Sequence, residues 1–346
     1  MNLYIVDFFI LWFNAFLYHV FGEKGKKNIY ILSCLQLLLI TICRSPIDAT
    51  WPDSPKYLTF FSSFSSSMSW ELAMKLGWEP GIIALSKVIG YFSNTPQTYI
   101  IVFGFLILIP VFVMIWKYSY YPCVSLLIFC SMKLLTATSI YRQWCAIAIL
   151  MYSIKFIYER KFKSFVLLVL LAFLFHRTAL LFLVVYFIYK MKVTINQIMI
   201  AFFTSIGLIF VGKNLLPILN NFARTKESLS YNGGISLYVV LWLVVFFSYF
   251  FCRRKMNDDL YRVPFNAVLV AATLQSISFT FSNWSRAILY FSIFLIILLP
   301  NTLYYYINNE DHLSKRSTIP IEFAFLSLMF IWLLIDLPDG YIAAWQ

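Results

Sequence analysis

Of 346 residues, 61% are hydrophobic, 20% aromatic and only 12% charged, about half the charge of a soluble domain. The apolar residues run in continuous blocks near the length that carries a helix across about 30 Å of hydrocarbon, so the chain reads as an all-α polytopic membrane protein and not as a β-barrel, whose strands alternate. The net charge of +12 fits basic loops facing anionic lipid and an anion on the other side; no Lys/Arg run with interleaved aromatics suits nucleic acid.

The opening MNLYIVDFFILWF lacks a basic start and carries Asp7, so it reads as a retained first span over 3–22 and not as a cleaved signal peptide. Further spans are expected at 28–43, 97–116, 119–134, 139–158, 163–175, 178–190, 194–212, 235–252, 264–281, 287–306 and 319–337, about twelve transmembrane helices in all. The short pair 163–175 and 178–190 also suits one tight or partly re-entrant hairpin. No fixed-period repeat or low-complexity linker divides the sequence, so a single transmembrane domain over 1–346 is expected. Cys34, Cys43, Cys123, Cys130, Cys145 and Cys252 form no CxxC pair and read as small core residues.

Two longer segments separate the spans, 44–96 and 213–234. The first carries Trp51, Trp70 and Trp78. Its stretch PGIIALSKVIGYF is apolar but too short to cross, so it reads as an interfacial or re-entrant helix. With the N-terminus outside, 15 of the 27 basic residues fall in short inner loops such as EKGKK and RRKMNDDLYR, and 11 are spread over the longer outer segments. The dense clusters thus lie inside, both termini outside, and the two long loops on the outer face, where function is expected.

On that topology Arg44, Arg142, Arg177, Arg224 and Arg286 gather at or near outer span ends. Arg142, in SIYRQWCAIA, has no acidic residue on its own hairpin; Glu159 lies at the far end of the same helix, about 25 Å away. The bland reading of each arginine is a side chain snorkelling to headgroups. As a set, arginines outside run against the positive-inside rule, and the choice of Arg over Lys suits planar, bidentate recognition of phosphate or carboxylate. A lipid pyrophosphate at headgroup depth fits. Asp53 in WPDSPKY and Glu79 in GWEPG lie among Trp, Pro and Gly. Each reads as a solvated charge or as a general base or sugar-hydroxyl acceptor. His176, which opens HRTALLFL, is a structural residue or a group that binds phosphate or moves a proton. No HExxH, paired DxD, Cys/His cluster, GxSxG or P-loop is present, so no metal or other cofactor is expected.

Five stretches in order resemble the EpsG family of Wzy-type bacterial polysaccharide polymerases. CRSPIDATWPDSPKY resembles the family's Arg followed by Gly-x-Asp-x-x-x-Tyr and gives Arg44, Asp53 and Tyr57, with Pro52 in place of the glycine. WEPGIIALSKVIG resembles its Glu-containing helix start and gives Glu79. SIYRQWCAIAILMYSIKF resembles its Arg-Gln span and gives Arg142 and Gln143. LAFLFHRTALLFL resembles its Phe-His-x-Ser-Ala segment and gives His176, with Thr178 in place of the serine. SRAILYFSIFLIILLPNTL resembles a late Arg-x-x-x-Tyr-Phe span and gives Arg286 and Tyr290.

The resemblance implies a GT-C-like polymerase architecture in the bacterial inner membrane. It implies a glycosyltransferase that joins undecaprenyl-pyrophosphate-linked oligosaccharide repeat units into O-antigen or capsule on the periplasmic face, alongside a chain-length regulator protein as partner. Asp53, Glu79 and His176 are then the catalytic candidates, Asp53 slightly preferred over Glu79 as base. Arg44, Tyr57, Arg142, Gln143, Arg177, Arg286 and Tyr290 are the candidates for binding pyrophosphate and sugar. Two other readings have different requirements. A lipid-linked oligosaccharide flippase needs a charged cavity open to both faces and has little use for the 44–96 loop. A membrane O-acyltransferase calls for His or Arg on the cytoplasmic side, where the inner loops offer His312 as their one histidine.

Overall fold

The structure, a computed structural model, describes residues 3–46, 53–66, 68–223, 234–281 and 283–308. Helix dominates these residues and no strand is assigned among them. They fall into two compact units, one within Met1–Leu180 and one within Leu181–Glu310.

The first unit contains α1 (Leu3–Val20), α2 (Glu23–Ile42), α3 (Ser54–Ser66), α4 (Trp70–Lys75), α5 (Pro80–Phe92), α6 (Pro96–Tyr118), α7 (Pro122–Met132), α8 (Leu134–Ala137), α9 (Tyr141–Tyr158) and α10 (Phe162–Phe173). Proline at the first position starts α5, α6 and α7, where its fixed φ suits the helix and its missing N–H costs nothing. Helix α6 packs on α2, α3, α7 and α9, and α10 packs on α9. The shared core holds Phe61, Tyr99, Phe103, Phe129, Tyr141 and Trp144, each no more than 2% exposed. Such large rings fill it at close packing. Asp7 on α1 is buried and accepts from Gln36 Nε2 of α2 at 2.7 Å, which satisfies a carboxyl group otherwise costly inside an apolar bundle.

The second unit contains α11 (Leu183–Ile188), α12 (Ile195–Ala223), α13 (Ile235–Cys252), α14 (Asp259–Gln275), α15 (Trp284–Ser292) and α16 (Leu295–Ile307). Helix α14 is its centre and packs on α11, α12, α13, α15 and α16. Polar side chains of α14 take up backbone groups left open at the turn after α11: Asn266 Nδ2 donates to Ile188 O at 2.7 Å and Met191 O at 2.9 Å. Arg262 Nε donates to Tyr189 O at 3.0 Å, and its guanidinium also pairs with Asp259.

Every expected span through 287–306 is occupied by helix; 319–337 lies outside the described residues. Among the described residues, three helices are long and apolar enough to cross a membrane, within Pro96–Tyr118, Ile195–Gly212 and Ile235–Asn257, and the pair α15 and α16, bent by 42°, makes a fourth. The other expected ranges hold shorter or more polar helices. Three lysines open α2, α7 stops at Met132, and the range 178–190 begins as a 3-10 turn over Arg177–Phe182. The expected span 194–212 coincides with the apolar stretch Ile195–Gly212, and helix continues from it into the segment 213–234. The apolar run LLPIL carries α12 on to Ala223, with Pro217 inside the helix; Arg224 lies outside the described residues. The 44–96 segment is mostly helical, and the short apolar helix expected at PGIIALSKVIGYF is α5.

Candidate functional site

Helix α4 ends on Gly77, whose φ of +86° turns the chain through the left-handed region that glycine enters without strain. Trp78 and Glu79 follow, and Pro80 opens α5. An acidic residue at such a cap usually accepts from the first-turn amides. Glu79 makes no side-chain cap bond. Its carboxylate is directed instead to two side chains from distant parts of the chain.

One oxygen, Oε2, accepts from Arg142 Nη1 at 2.7 Å, and the other, Oε1, meets His176 Nδ1 at 3.3 Å. Arg142 stands in the first turn of α9. Its Nε donates to Tyr57 OH at 3.3 Å and its Nη1 to Gly77 O at 3.3 Å. The guanidinium lies 5.0 Å from the centre of the Trp78 ring, close enough for cation–π attraction. Trp78 in turn stacks on Phe60 at 3.8 Å and meets Tyr57 edge-on at 5.5 Å. The aromatics of α3 thus form the floor on which the arginine rests. The charge without an acidic partner on its own hairpin finds one 63 residues earlier.

Two supports fix the geometry. Arg44, 1% exposed, donates through Nη2 to Ser54 Oγ at 2.8 Å, to Thr138 O at 2.9 Å and to Tyr141 OH. It ties the end of α2 to the starts of α3 and α9 and so sets where Arg142 emerges. On the other side, the Gly81 N–H donates to Leu174 O at 2.8 Å. A Cβ at Gly81 would stand 2.8 Å from that oxygen and 2.9 Å from the Phe175 ring. Only glycine lets the start of α5 approach the segment that carries His176.

The side chains of Arg142 and His176 are each 23% exposed, that of Glu79 only 7%. The carboxylate is therefore the inner bridge, and the arginine and imidazole are the groups an incoming molecule reaches. Burial disfavours the charge on Glu79, but the His176 hydrogen bond and the Arg142 charge outweigh it and hold the carboxyl below its ordinary value. A carboxylate so stabilised is a poor proton acceptor and a good orienting group. With His176 Nδ1 on Glu79, Nε2 is the ring nitrogen left to exchange a proton with a ligand.

The other expected residues divide between the units. Asp53 precedes α3, and its N–H donates to Ser139 Oγ at 3.2 Å. Tyr57 is part of the arginine's cradle, Gln143 is 2% exposed beside Arg142 in α9, and Arg177 is exposed next to His176. Arg286, exposed, and Tyr290, 1% exposed, belong to α15 of the second unit. Sequence reading missed Trp78, Gly77, Gly81, Ser54 and Tyr141 as builders of the site. The motif GWEPG held the signal for the first three, since a positive-φ turn, an aromatic face and a close approach are what Gly and Trp around one carboxylate supply. Among the described residues no three His, Cys, Asp or Glu side chains gather to hold a metal ion.

The sequence matches the model of the EpsG family over residues 27–343. No curated protein and no solved structure matches the chain.

Proposed function

From the premise that the chain belongs to the EpsG family, a Wzy-type polysaccharide polymerase family, we propose that it joins oligosaccharide repeat units carried on undecaprenyl pyrophosphate, working on the periplasmic face of the bacterial inner membrane with about twelve spans and a GT-C-like architecture. The observation that carries the reading is the Glu79 carboxylate shared between Arg142 and His176. It presents a cation and an oriented imidazole side by side at the end of apolar helices.

In the reaction the non-reducing hydroxyl of one lipid-linked unit attacks the anomeric carbon of another. His176 Nε2 takes the proton of that hydroxyl. Glu79, still on Nδ1, stabilises the imidazolium that forms and keeps the ring in place, the role a carboxylate plays behind a catalytic histidine. The bond from the anomeric carbon to the phosphate oxygen breaks as the new glycosidic bond forms. Charge then builds on the departing undecaprenyl pyrophosphate, where Arg142 stabilises it more than it stabilises the bound substrate. Trp78 and Tyr57 hold the guanidinium in place beforehand, so little reorganisation is needed. Arg177, beside His176, is proposed to contact the second phosphate. Arg44 acts as a strut behind Arg142, and a chain-length regulator is the proposed protein partner.

The test is the surface polysaccharide of a strain lacking this chain. A polymerase leaves a single repeat unit in place of a ladder of lengths on a gel, and the wild-type gene restores the ladder. Loss of exported repeat units altogether would refute the reading in favour of a transporter.

A further inference from the structure

The active cluster lies where α2 ends and α9 begins, and the opposite end of α2 has features that polymerisation does not use. There α2 runs antiparallel to α6, and Tyr30 OH donates to Phe112 O at 2.6 Å, fixing the two helices together. Beside this contact runs a groove of about 750 Å³, within the range of about 300–1,000 Å³ usual for small-molecule sites. Leu35, Val113 and other apolar side chains line most of it. At one end stand Lys27 and Lys117, with the Tyr30 and Trp116 rings 5.0 Å apart next to them. No acidic side chain lines the groove among the described residues.

We propose that this groove binds one anionic phospholipid, its phosphate between Lys27 and Lys117 and an acyl chain along the α2–α6 seam. Three observations select this occupant over a neutral lipid or a protein segment. The charge is concentrated at one end and is of one sign. Both ammonium groups belong to exposed residues: the neighbouring Lys26 lies over the Tyr18 ring at 5.7 Å, Lys117 rests 5.2 Å from the Tyr118 ring, and the carboxylate of Glu159 is taken by Lys155 and Lys161. From Phe105 to Lys117 the lining follows α6 for about 18 Å at 1.5 Å per residue, which suits an extended hydrocarbon chain below a headgroup. Basic groups at the end of a seam between membrane helices, flanked by Trp and Tyr at interface depth, recognise anionic headgroups in this way. The proposal goes beyond the polymerase reading and does not depend on it.

The experiment uses the full chain purified in neutral detergent and titrated with dioleoyl-phosphatidylglycerol or dioleoyl-phosphatidylcholine, bound lipid being counted by native mass spectrometry. The wild type should bind phosphatidylglycerol preferentially. A lysine near a membrane surface favours anionic lipid about fivefold, so Lys27→Gln with Lys117→Gln should weaken phosphatidylglycerol about 25-fold and leave phosphatidylcholine unchanged. Val113→Trp, which fills the seam, should weaken both lipids. Arg160→Gln with Lys163→Gln, a basic pair outside the groove, should change neither. An unchanged preference in the Lys27/Lys117 variant would overturn the proposal. So would an equal loss in the Arg160/Lys163 control, which would indicate general surface charge. Glycerol phosphate binding as tightly as the whole lipid would also overturn it, showing a phosphate site that needs no acyl chain. Polymerisation is not read out, so failure here leaves the polymerase assignment standing.

Discussion

Replacing Gly81 by alanine puts a methyl group in place of one hydrogen where there is no room for it. The new Cβ would lie 2.8 Å from Leu174 O, 3.0 Å from Leu174 C and 2.9 Å from Phe175 Cδ2. Two of these are backbone atoms, which cannot rotate aside. Restoring ordinary contact of about 3.4 Å requires the 174–176 segment and α5 to separate by about 0.6 Å, since close-packed interiors transmit such strain instead of absorbing it. The His176–Glu79 contact of 3.3 Å then opens to about 3.9 Å, beyond hydrogen-bond reach, while the Arg142–Glu79 pair, made from the other side, persists. A misplacement approaching 1 Å at a reacting group costs up to about 100-fold in rate, so Gly81→Ala should lower polymerisation by about 10- to 100-fold. Destabilisation should stay near the 1–3 kcal/mol usual for overpacking. The assay is repeat-unit ladder length in a complemented deletion strain, with membrane abundance matched by immunoblot. A Gly81→Ala protein at normal abundance that builds full-length polymer would refute the claim that this close approach positions a working histidine.

Four further outcomes follow from the same geometry. Arg142→Ala should abolish nearly all activity, and Arg142→Lys, which keeps the charge but loses the planar fork over Trp78, should lose about 100-fold; retention of long polymer by Arg142→Ala would leave it a snorkelling anchor. His176→Gln should cost about 10²–10⁴ in rate whereas Asp53→Asn costs less than about tenfold, and the reverse order in a membrane assay with lipid-linked repeat units would return the base to Asp53. Glu79 is held below its ordinary carboxyl value of about 4.3, so its contribution to stability is complete above that value and is lost as pH falls through the lowered folded one. Melting of the purified protein should accordingly show an acid-limb loss that Glu79→Gln removes, and identical acid limbs would refute the bridge. For topology, maleimide should label Lys87→Cys from outside the cell and Lys192→Cys only after permeabilisation; the opposite pattern inverts the orientation.

The helices were legible because hydrocarbon imposes its own length on apolar runs, and this constraint is visible without any partner. The short helix α5 was legible too, from Pro80 at its start and from its insufficient length. What composition could not give was register between distant segments. Arg142 and Glu79 are read one at a time in a sequence, and nothing in either stretch names the other. Their pairing depends on a folded 44–96 segment in which Tyr57, Phe60 and Phe64 of α3 face inward, a pattern that SPKYLTFFSSFSS carries but that its serines obscure. Arg44 shows the same limit in reverse: its type and place suited a phosphate ligand, and only the neighbours Ser54, Thr138 and Tyr141 show it bracing backbone. The extension of α12 past 212 was hidden by Pro217, which marks a stop in most helices and is carried within this one.

The Arg142–Glu79 contact also leaves part of the guanidinium's positive charge compensated before any ligand arrives. Glu79 and Gly77 O share Nη1, and Tyr57 OH holds Nε, so the edge of the fork that these contacts leave is Nη2. On the proposed reaction a phosphate oxygen would meet that edge and join the ion pair, and Glu79 would keep its place between Arg142 and His176. The carboxylate would then weaken the pull on any resting anion, while the charge that builds on a departing pyrophosphate would draw a larger share of the guanidinium's interaction. A residue that need never touch the substrate would set how tightly the site holds its ligand at rest.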